Sequence, residues 1–139
     1  MNKKNIVTIG GGTGTFVVLS GLKGISGLAL TAIVSVADDG GSTGRLRDAY
    51  GFLPLGDARQ ALIALSAAEN SMPMRRLFEY RFGKGDIAGH NFGNLFLTAL
   101  TDLSGSDSAA LEVASDILRV RGRVVPVSER PATLVAKLE

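Results

Sequence analysis

Hydrophobic positions along the chain fall into short continuous runs separated by longer stretches with helical spacing. Residues 5–9 and 28–36 are nearly continuous in apolar, often β-branched side chains, and a third such run covers 123–127. Short continuous runs are typical of strands that are buried on both faces of a parallel sheet. We therefore predict three strands, with 28–36 as a central one.

The stretches between and after these runs are predicted to be helical. In the clearest case, apolar residues repeat on one face at the 3.6-residue period between 92 and 103. Asp57 followed by Gln60 has the spacing of a capping box at a helix start. The predicted helices cover 16–23, 57–67, 73–80, 92–103 and 110–118, and 132–139 also looks helical.

The alternation of strands and helices predicts an α/β fold with a mainly parallel sheet and right-handed crossovers. Residues 1–139 are interpreted as one domain, because no repeat, low-complexity segment or long linker divides them. Three strands are few for a doubly wound sheet. We therefore expect the chain to be part of a larger domain.

The composition of the chain argues against several classes of protein. The chain has 45% hydrophobic and 20% charged residues, with a net charge of only +2 spread along its length. That balance argues against a nucleic-acid-binding protein, in which basic residues cluster on one face. The absence of cysteine excludes disulfides and zinc–thiolate sites. The sequence contains no 18-residue apolar run, so we predict no membrane span and a cytoplasmic location.

The glycine-rich stretch "GGGTGT" follows the first predicted strand and precedes a helix. In this context glycines let the backbone approach a phosphate, and the first helical amides donate to it. The spacing departs from G-x-G-x-x-G, and no Gly-Lys-Ser/Thr follows. A tight turn without a ligand is the alternative. The candidate phosphate-binding residues are Gly11, Gly12, Thr13, Gly14 and Thr15.

A second glycine-rich stretch, "DDGGSTGR", follows the second predicted strand. An acidic residue at this point can bind ribose hydroxyls. A pair of carboxylates beside a phosphate also suits Mg²⁺. Glycines and hydroxyl side chains after the pair predict a second anion-binding nest with Arg45 as a partner. The alternative is an ordinary loop in which Asp39 caps a helix. The candidate ligand-binding residues here are Asp38, Asp39, Gly40, Gly41, Ser42 and Thr43.

A third candidate segment, "GHNFGN", contains the single histidine of the chain. His90, Asn91 and Asn94 stand at a predicted helix start, where imidazole and amide groups can recognise a sugar, base or phosphate. The flanking glycines suggest close ligand approach. The alternative is a plain N-cap at Asn91 with His90 on the surface. Asp57 and Arg59 have the same two interpretations, a cleft role or a capping role.

Taken together, "GGGTGT", "VSVADDGGSTGRLRDAYGFLPLGDARQAL" and "GHNFGNLFLTAL" resemble the gluconeogenesis-factor (YvcK-type) family, within the superfamily of 2-phospho-L-lactate transferase (CofD-type). The resemblance implies a Rossmann-like three-layer fold and a cytoplasmic bacterial protein. It also implies binding of UDP-sugars such as UDP-N-acetylglucosamine and links to central carbon metabolism, cell shape and peptidoglycan synthesis. Members are longer than this chain, which is expected to be the N-terminal portion of the domain.

Carried over by position, the resemblance places the first glycine loop, the aspartate pair and the Asn91–Asn94 segment at the ligand cleft. Asp39 matches an aspartate of the transferase branch and is the candidate metal ligand, with Mg²⁺ as the cofactor. Three hypotheses follow: a non-catalytic nucleotide-sugar-binding regulator, a metal-assisted phosphotransferase of the CofD type, and an NAD(P)-dependent oxidoreductase, for which the standard fingerprint is lacking. No catalytic residue is assigned, and a homo-oligomer is left open.

Overall fold

The computed structural model describes residues 3–37, 40–67, 72–132 and 135–138. Strands and helices alternate at the start of the chain, and within these described residues five helices then separate the second strand from the third. In chain order the elements are β1 Lys4–Gly10, α1 Gly12–Leu22, β2 Leu28–Val34, α2 Gly41–Tyr50, α3 Gly56–Leu65, α4 Met72–Glu79, α5 Phe92–Ser104, α6 Asp107–Ile117 and β3 Arg123–Pro126.

The three strands form one parallel sheet in the order β1-β2-β3. β1 and β2 pair in register from Lys4↔Leu28 to Gly10↔Val34, and β3 pairs with the second half of β2. β2 is therefore the central strand, as predicted. Because the strands are parallel and in register, their carboxyl ends lie at one edge of the sheet, hereafter the carboxyl edge. The first glycine loop and the segment leading to α2 both leave the sheet there.

The core lies between one face of the sheet and the helices. Leu30, Ala32 and Val34 of β2 are buried there together with apolar residues of α1, α3, α4, α5 and α6. On the other face of β1, Val7 and Ile9 are 55% and 77% exposed. The predicted α/β fold with a parallel sheet is confirmed. Among the described residues, no helix is long and apolar enough to cross a membrane.

One helix, α1, begins earlier than predicted, and α2 was not predicted from the sequence. α1 starts at Gly12, inside the glycine loop, four residues before the predicted start. The "GGSTGR" stretch, predicted as a nest, forms the first turns of α2, so that Gly44 is helical. Glycine is a weak helix former, and both helices are held by tertiary contacts.

Two further predictions are wrong. The capping box at Asp57 and Gln60 is not formed, because α3 begins at Gly56 with Leu55 as its N-cap and no side-chain capping bond. The helix predicted for 132–139 is absent from the residues of that stretch which the structure describes, 132 and 135–138. The other predicted helices and all three strands are found, with ends shifted by a few residues.

Candidate functional site

The first glycine loop is closed by an aspartate from another helix. Gly12 has a positive φ of +66°, and its N–H donates to Asp57 Oδ1 at 2.9 Å. Gly11, the N-cap of α1, has no side chain to cap the helix, and a Cβ there would overlap the Asp57 carboxylate. Thr15 Oγ1 donates back to the Gly11 carbonyl at 3.2 Å. Asp57 therefore caps α1 from the first turn of α3.

The second glycine-rich stretch provides the start of α2. Gly40 is its N-cap in an extended conformation, and Gly41 has a positive φ of +52°. Neither glycine has a side chain that could shield the first turn. Ser42 and Thr43 follow at once and are 4% and 8% exposed, so their hydroxyls face the protein interior. Hydroxyl groups buried at a helix start need partners, and those partners come from α5.

Asn91 fixes the start of α5. Its side chain accepts the Asn94 N–H at 3.2 Å as an N-cap, and its Nδ2 donates to the Tyr80 carbonyl at 3.2 Å. The Asn91 backbone N–H donates to Ser42 Oγ at 3.3 Å. The plain N-cap interpretation of Asn91 is therefore correct for its side chain. The same residue also holds α5 against the start of α2.

Asn94 is the centre of the polar network. Its Nδ2 donates to Thr43 Oγ1 at 3.2 Å and, at 3.4 Å, to Ser42 Oγ. Its Oδ1 accepts from Arg59 Nε at 2.9 Å. Arg59 lies two residues after Asp57 in the first turn of α3. α3 therefore joins the two glycine loops, with one side chain reaching α1 and the other reaching Asn94.

His90 extends this network toward solvent. Its Nδ1 lies 3.0 Å from Ser42 Oγ. Burial, and then the positive charges of Arg45 and Arg81, lower the pKa of His90 below its usual value of 6.5. The neutral imidazole is therefore favoured, and its Nδ1 can accept a hydrogen bond from the Ser42 hydroxyl.

Three arginines surround the network. Burial, and then the charge of Arg81, lower the pKa of Arg59, while Glu79 and Asp57 act in the opposite direction. Arginine still stays protonated at any physiological pH.

The other two guanidinium groups donate to backbone carbonyls. Arg45 Nη2 reaches Ala88 O at 3.2 Å, and Arg81 Nη1 reaches Gly89 O at 2.6 Å. Within the described part of the chain, neither of them nor Arg59 forms an ion pair with a carboxylate. The start of α2 is thus flanked by the positive charge of these arginines, which favours an anion.

The glycines of the third segment have an internal explanation. A Cβ on Gly93 would lie 2.7 Å from both the Phe78 carbonyl and Arg59 Cδ. Gly89 has a φ of +78°, and a Cβ there would lie 3.0 Å from Arg45 Nη2. The groups that approach these glycines closely are therefore protein groups. Close ligand approach is not needed to explain them.

The structure brings most of the predicted site residues together at the carboxyl edge. On α3, Asp57 contacts the first loop and Arg59 contacts Asn94. Asn94 in turn contacts Ser42 and Thr43. His90 and the Asn91 backbone also contact Ser42. Asp38 and Asp39 lie outside the described residues. Among the described residues, no group of three histidines or acids could hold a metal ion. The Mg²⁺ assignment, which rests on Asp39, therefore stays a prediction.

Arg81 and the Tyr80 carbonyl were not predicted from the sequence. They follow α4 and reach the site through an isolated antiparallel bridge between Arg81 and Asn91. The segment has no hydrophobic period and no motif spacing that would indicate this pairing. A single arginine about ten residues before a histidine carries no recognisable signal.

A parallel sheet with several helix starts gathered at its carboxyl edge defines the class: an α/β protein of the open-sheet type, in which ligands bind at that edge. A family model described as 2-phospho-L-lactate transferase CofD matches residues 6–139, and the chain belongs to this family. The resemblance found in the sequence is thus confirmed.

Relatives of the chain carry the name gluconeogenesis factor. The putative gluconeogenesis factor of Aquifex aeolicus is 49% identical over 142 residues, covering 100% of this chain and 43% of that protein. The gluconeogenesis factor of Listeria monocytogenes is 46% identical over 138 residues, covering 99% of this chain and 42% of that protein.

A solved structure supports the same fold. Protein BH3568 from Bacillus halodurans is similar with a TM-score of 0.87 and 44% identity, over 94% of this chain and 41% of that one. The chain therefore spans less than half the length of the relatives it matches. This agrees with the prediction that it is part of a larger domain.

Proposed function

We propose that this chain provides the phosphate-binding side of a nucleotide-sugar site. The whole protein is then a regulator that binds a UDP-N-acetylglucosamine-like ligand without turning it over. The observation that carries the proposal is the position of α3 between the two loops: Asp57 accepts from Gly12, and Arg59, two residues later, donates to Asn94, which contacts Ser42. This arrangement fixes the positions of the loops and charged groups before any ligand arrives, which lowers the entropic cost of binding.

The charge distribution favours a diphosphate on the α2 side of the site. Burial, and then the positive charge of Arg81, lower the pKa of Arg59, so its guanidinium would be stabilised by a nearby anion. A phosphate group beside Arg45, Arg59 and Arg81 would supply that negative charge and accept several charge-assisted hydrogen bonds. The start of α2 adds backbone N–H groups and the positive end of the helix dipole. A neutral sugar alone would leave these charges uncompensated.

A regulatory role is favoured over catalysis by the surroundings of the histidine. Ser42 and His90 form a pair at 3.0 Å, but Ser42 is only 4% exposed, and no described carboxylate hydrogen-bonds to the imidazole. A buried hydroxyl without an oriented base is poorly suited to nucleophilic attack. Regulation of central carbon metabolism, cell shape and peptidoglycan synthesis in the cytoplasm is part of the same proposal, and rests on the family resemblance.

Calorimetric titration of the full-length protein tests the proposal. We expect UDP-N-acetylglucosamine to bind and free N-acetylglucosamine not to bind, because the sugar lacks the diphosphate. Arg59→Gln should weaken binding about ten- to hundredfold, since a hydrogen bond to a charged group contributes about 1.5–3 kcal/mol. Arg121→Gln is the matched control, because Arg121 is exposed at the opposite edge of the sheet. Equal affinity of the two variants would contradict the proposed site.

The runner-up function is a CofD-like transfer of a phosphorus-containing group from a nucleotide diphosphate-linked donor. The family match favours it, since the family model carries the name of a transferase. In this case Mg²⁺ held by Asp39 would bridge the phosphates. Phosphorus NMR of the full-length protein with a diphosphate-linked donor and Mg²⁺ would separate the two functions. Release of free nucleotide at a catalytic rate would favour the transferase.

A further inference from the structure

Asp57 occupies the position at the start of α1 where a glycine-loop protein would bind a phosphate. Its Oδ1 accepts the Gly12 N–H at 2.9 Å, and the carboxylate packs directly against Gly11. Gly11 itself contributes no capping side chain. The first glycine loop thus already has an anion, and that anion belongs to the protein.

The carboxylate is well held in this position. It stands in the first turn of α3, so the positive ends of two helix dipoles, those of α1 and α3, face it. Gly11 lets it approach because there is no Cβ in its path. A phosphate entering the loop would be repelled by the negative charge of Asp57. It would also have to compete with the carboxylate for the Gly12 N–H.

We infer that Asp57 is a specificity-determining residue that closes the first glycine loop to phosphate. The phosphates of the ligand are thereby directed to the start of α2 and the three arginines. This orientation of the nucleotide rests on the proposed function, whereas the exclusion of anions from the α1 start does not. The glycine-rich sequence of the first loop then serves the close approach of Asp57, and the phosphate-binding loop of the protein is the second one.

Amide NMR spectra of the full-length protein, titrated with inorganic pyrophosphate, test this inference. In the wild type we expect the amides of Ser42 and Thr43 to shift and the amide of Gly12 to remain unchanged. Asp57→Ser removes both the charge and the bulk, so the Gly12 amide of this variant should shift on titration with pyrophosphate. Asp57→Asn should give a smaller shift, because the neutral amide still fills the position.

Asp102→Asn is the matched control, since it removes one negative charge from an exposed residue of α5. It should leave the Gly12 amide unresponsive. A wild-type Gly12 amide that already responds to pyrophosphate as strongly as in Asp57→Ser would overturn the inference. So would the absence of a Gly12 response in both Asp57 variants, with folding of each verified by amide dispersion.

A parallel titration with UDP-N-acetylglucosamine keeps the two proposals apart. If the nucleotide sugar fails to bind while the pyrophosphate pattern holds, the proposed function is wrong and the role of Asp57 stands. A different outcome is that the nucleotide sugar binds and that both it and free pyrophosphate shift the Gly12 amide of the wild type. The role of Asp57 is then wrong and the proposed function stands.

Discussion

Asn94→Asp changes the charge at the centre of the polar network while keeping the shape of the side chain. Asn94 is 7% exposed, and its Oδ1 lies 2.9 Å from Arg59 Nε. A carboxylate in the same position would pair with the guanidinium through a charge-assisted hydrogen bond. The Thr43 hydroxyl, which now accepts from Nδ2, can rotate and donate to the new oxygen, whereas the Ser42 hydroxyl proton is already directed to His90. We therefore expect the fold to be retained.

The expected effect of Asn94→Asp on ligand affinity is larger than its effect on stability. With its charge compensated from inside the protein, Arg59 no longer favours a phosphate, and the contribution lost is that of one hydrogen bond to a charged group, about 1.5–3 kcal/mol. Affinity for UDP-N-acetylglucosamine should fall about ten- to hundredfold, at 1.4 kcal/mol for each factor of ten. The free energy of unfolding should fall by about 1–2 kcal/mol, because the contacts to Arg59 and Thr43 are kept and only the long contact to Ser42 Oγ is lost.

The assay is calorimetric titration of the full-length protein, combined with urea unfolding of each variant. Asn5→Asp is the matched control: it makes the same chemical change at an exposed position of β1 and should leave affinity unchanged. Wild-type affinity in a folded Asn94→Asp protein would refute the reasoning, because it would mean that the charge of Arg59 does not act on the ligand.

Three further predictions concern single residues. The pKa of His90, followed by NMR, should lie below 6.5 and rise when a nucleotide diphosphate binds, because the anion offsets the charge of Arg45. The stability that neutral His90 contributes is present above pH 6.5 and is lost as the pH falls through the folded-state pKa. An unchanged pKa in the complex would contradict this. Gly93→Ala should lower the free energy of unfolding in urea by about 1–3 kcal/mol, because its Cβ meets the Phe78 carbonyl; wild-type stability would show that α4 can move aside. Asp39→Asn should weaken any Mg²⁺ dependence of nucleotide binding measured by calorimetry, and equal affinity with and without Mg²⁺ in both proteins would remove Asp39 from the site.

The sequence by itself determined the framework of the protein. Continuous apolar runs predicted three parallel strands, and the 3.6-residue period predicted α5 and α6, because burial patterns are local in the sequence. Because the first two predicted strands are parallel, the glycine-rich stretches that follow them lie at one edge of the sheet. The sequence also predicted that His90 and Asn91 stand at the start of α5. These predictions depend only on strand direction and helix phase, which short stretches of sequence contain.

Tertiary structure decided what these elements do to one another. The glycine-rich start of α2 is helical although its local propensity is low, because Ser42 and Thr43 are held by α5. Asp57 had the spacing of a capping residue for its own helix, but it caps α1 instead, 45 residues away in sequence. Arg59 reaches Asn94 across 35 residues. Tertiary packing determines which groups so distant in sequence come within hydrogen-bonding distance. A local sequence pattern contains no information about these contacts, because it reflects only neighbouring residues.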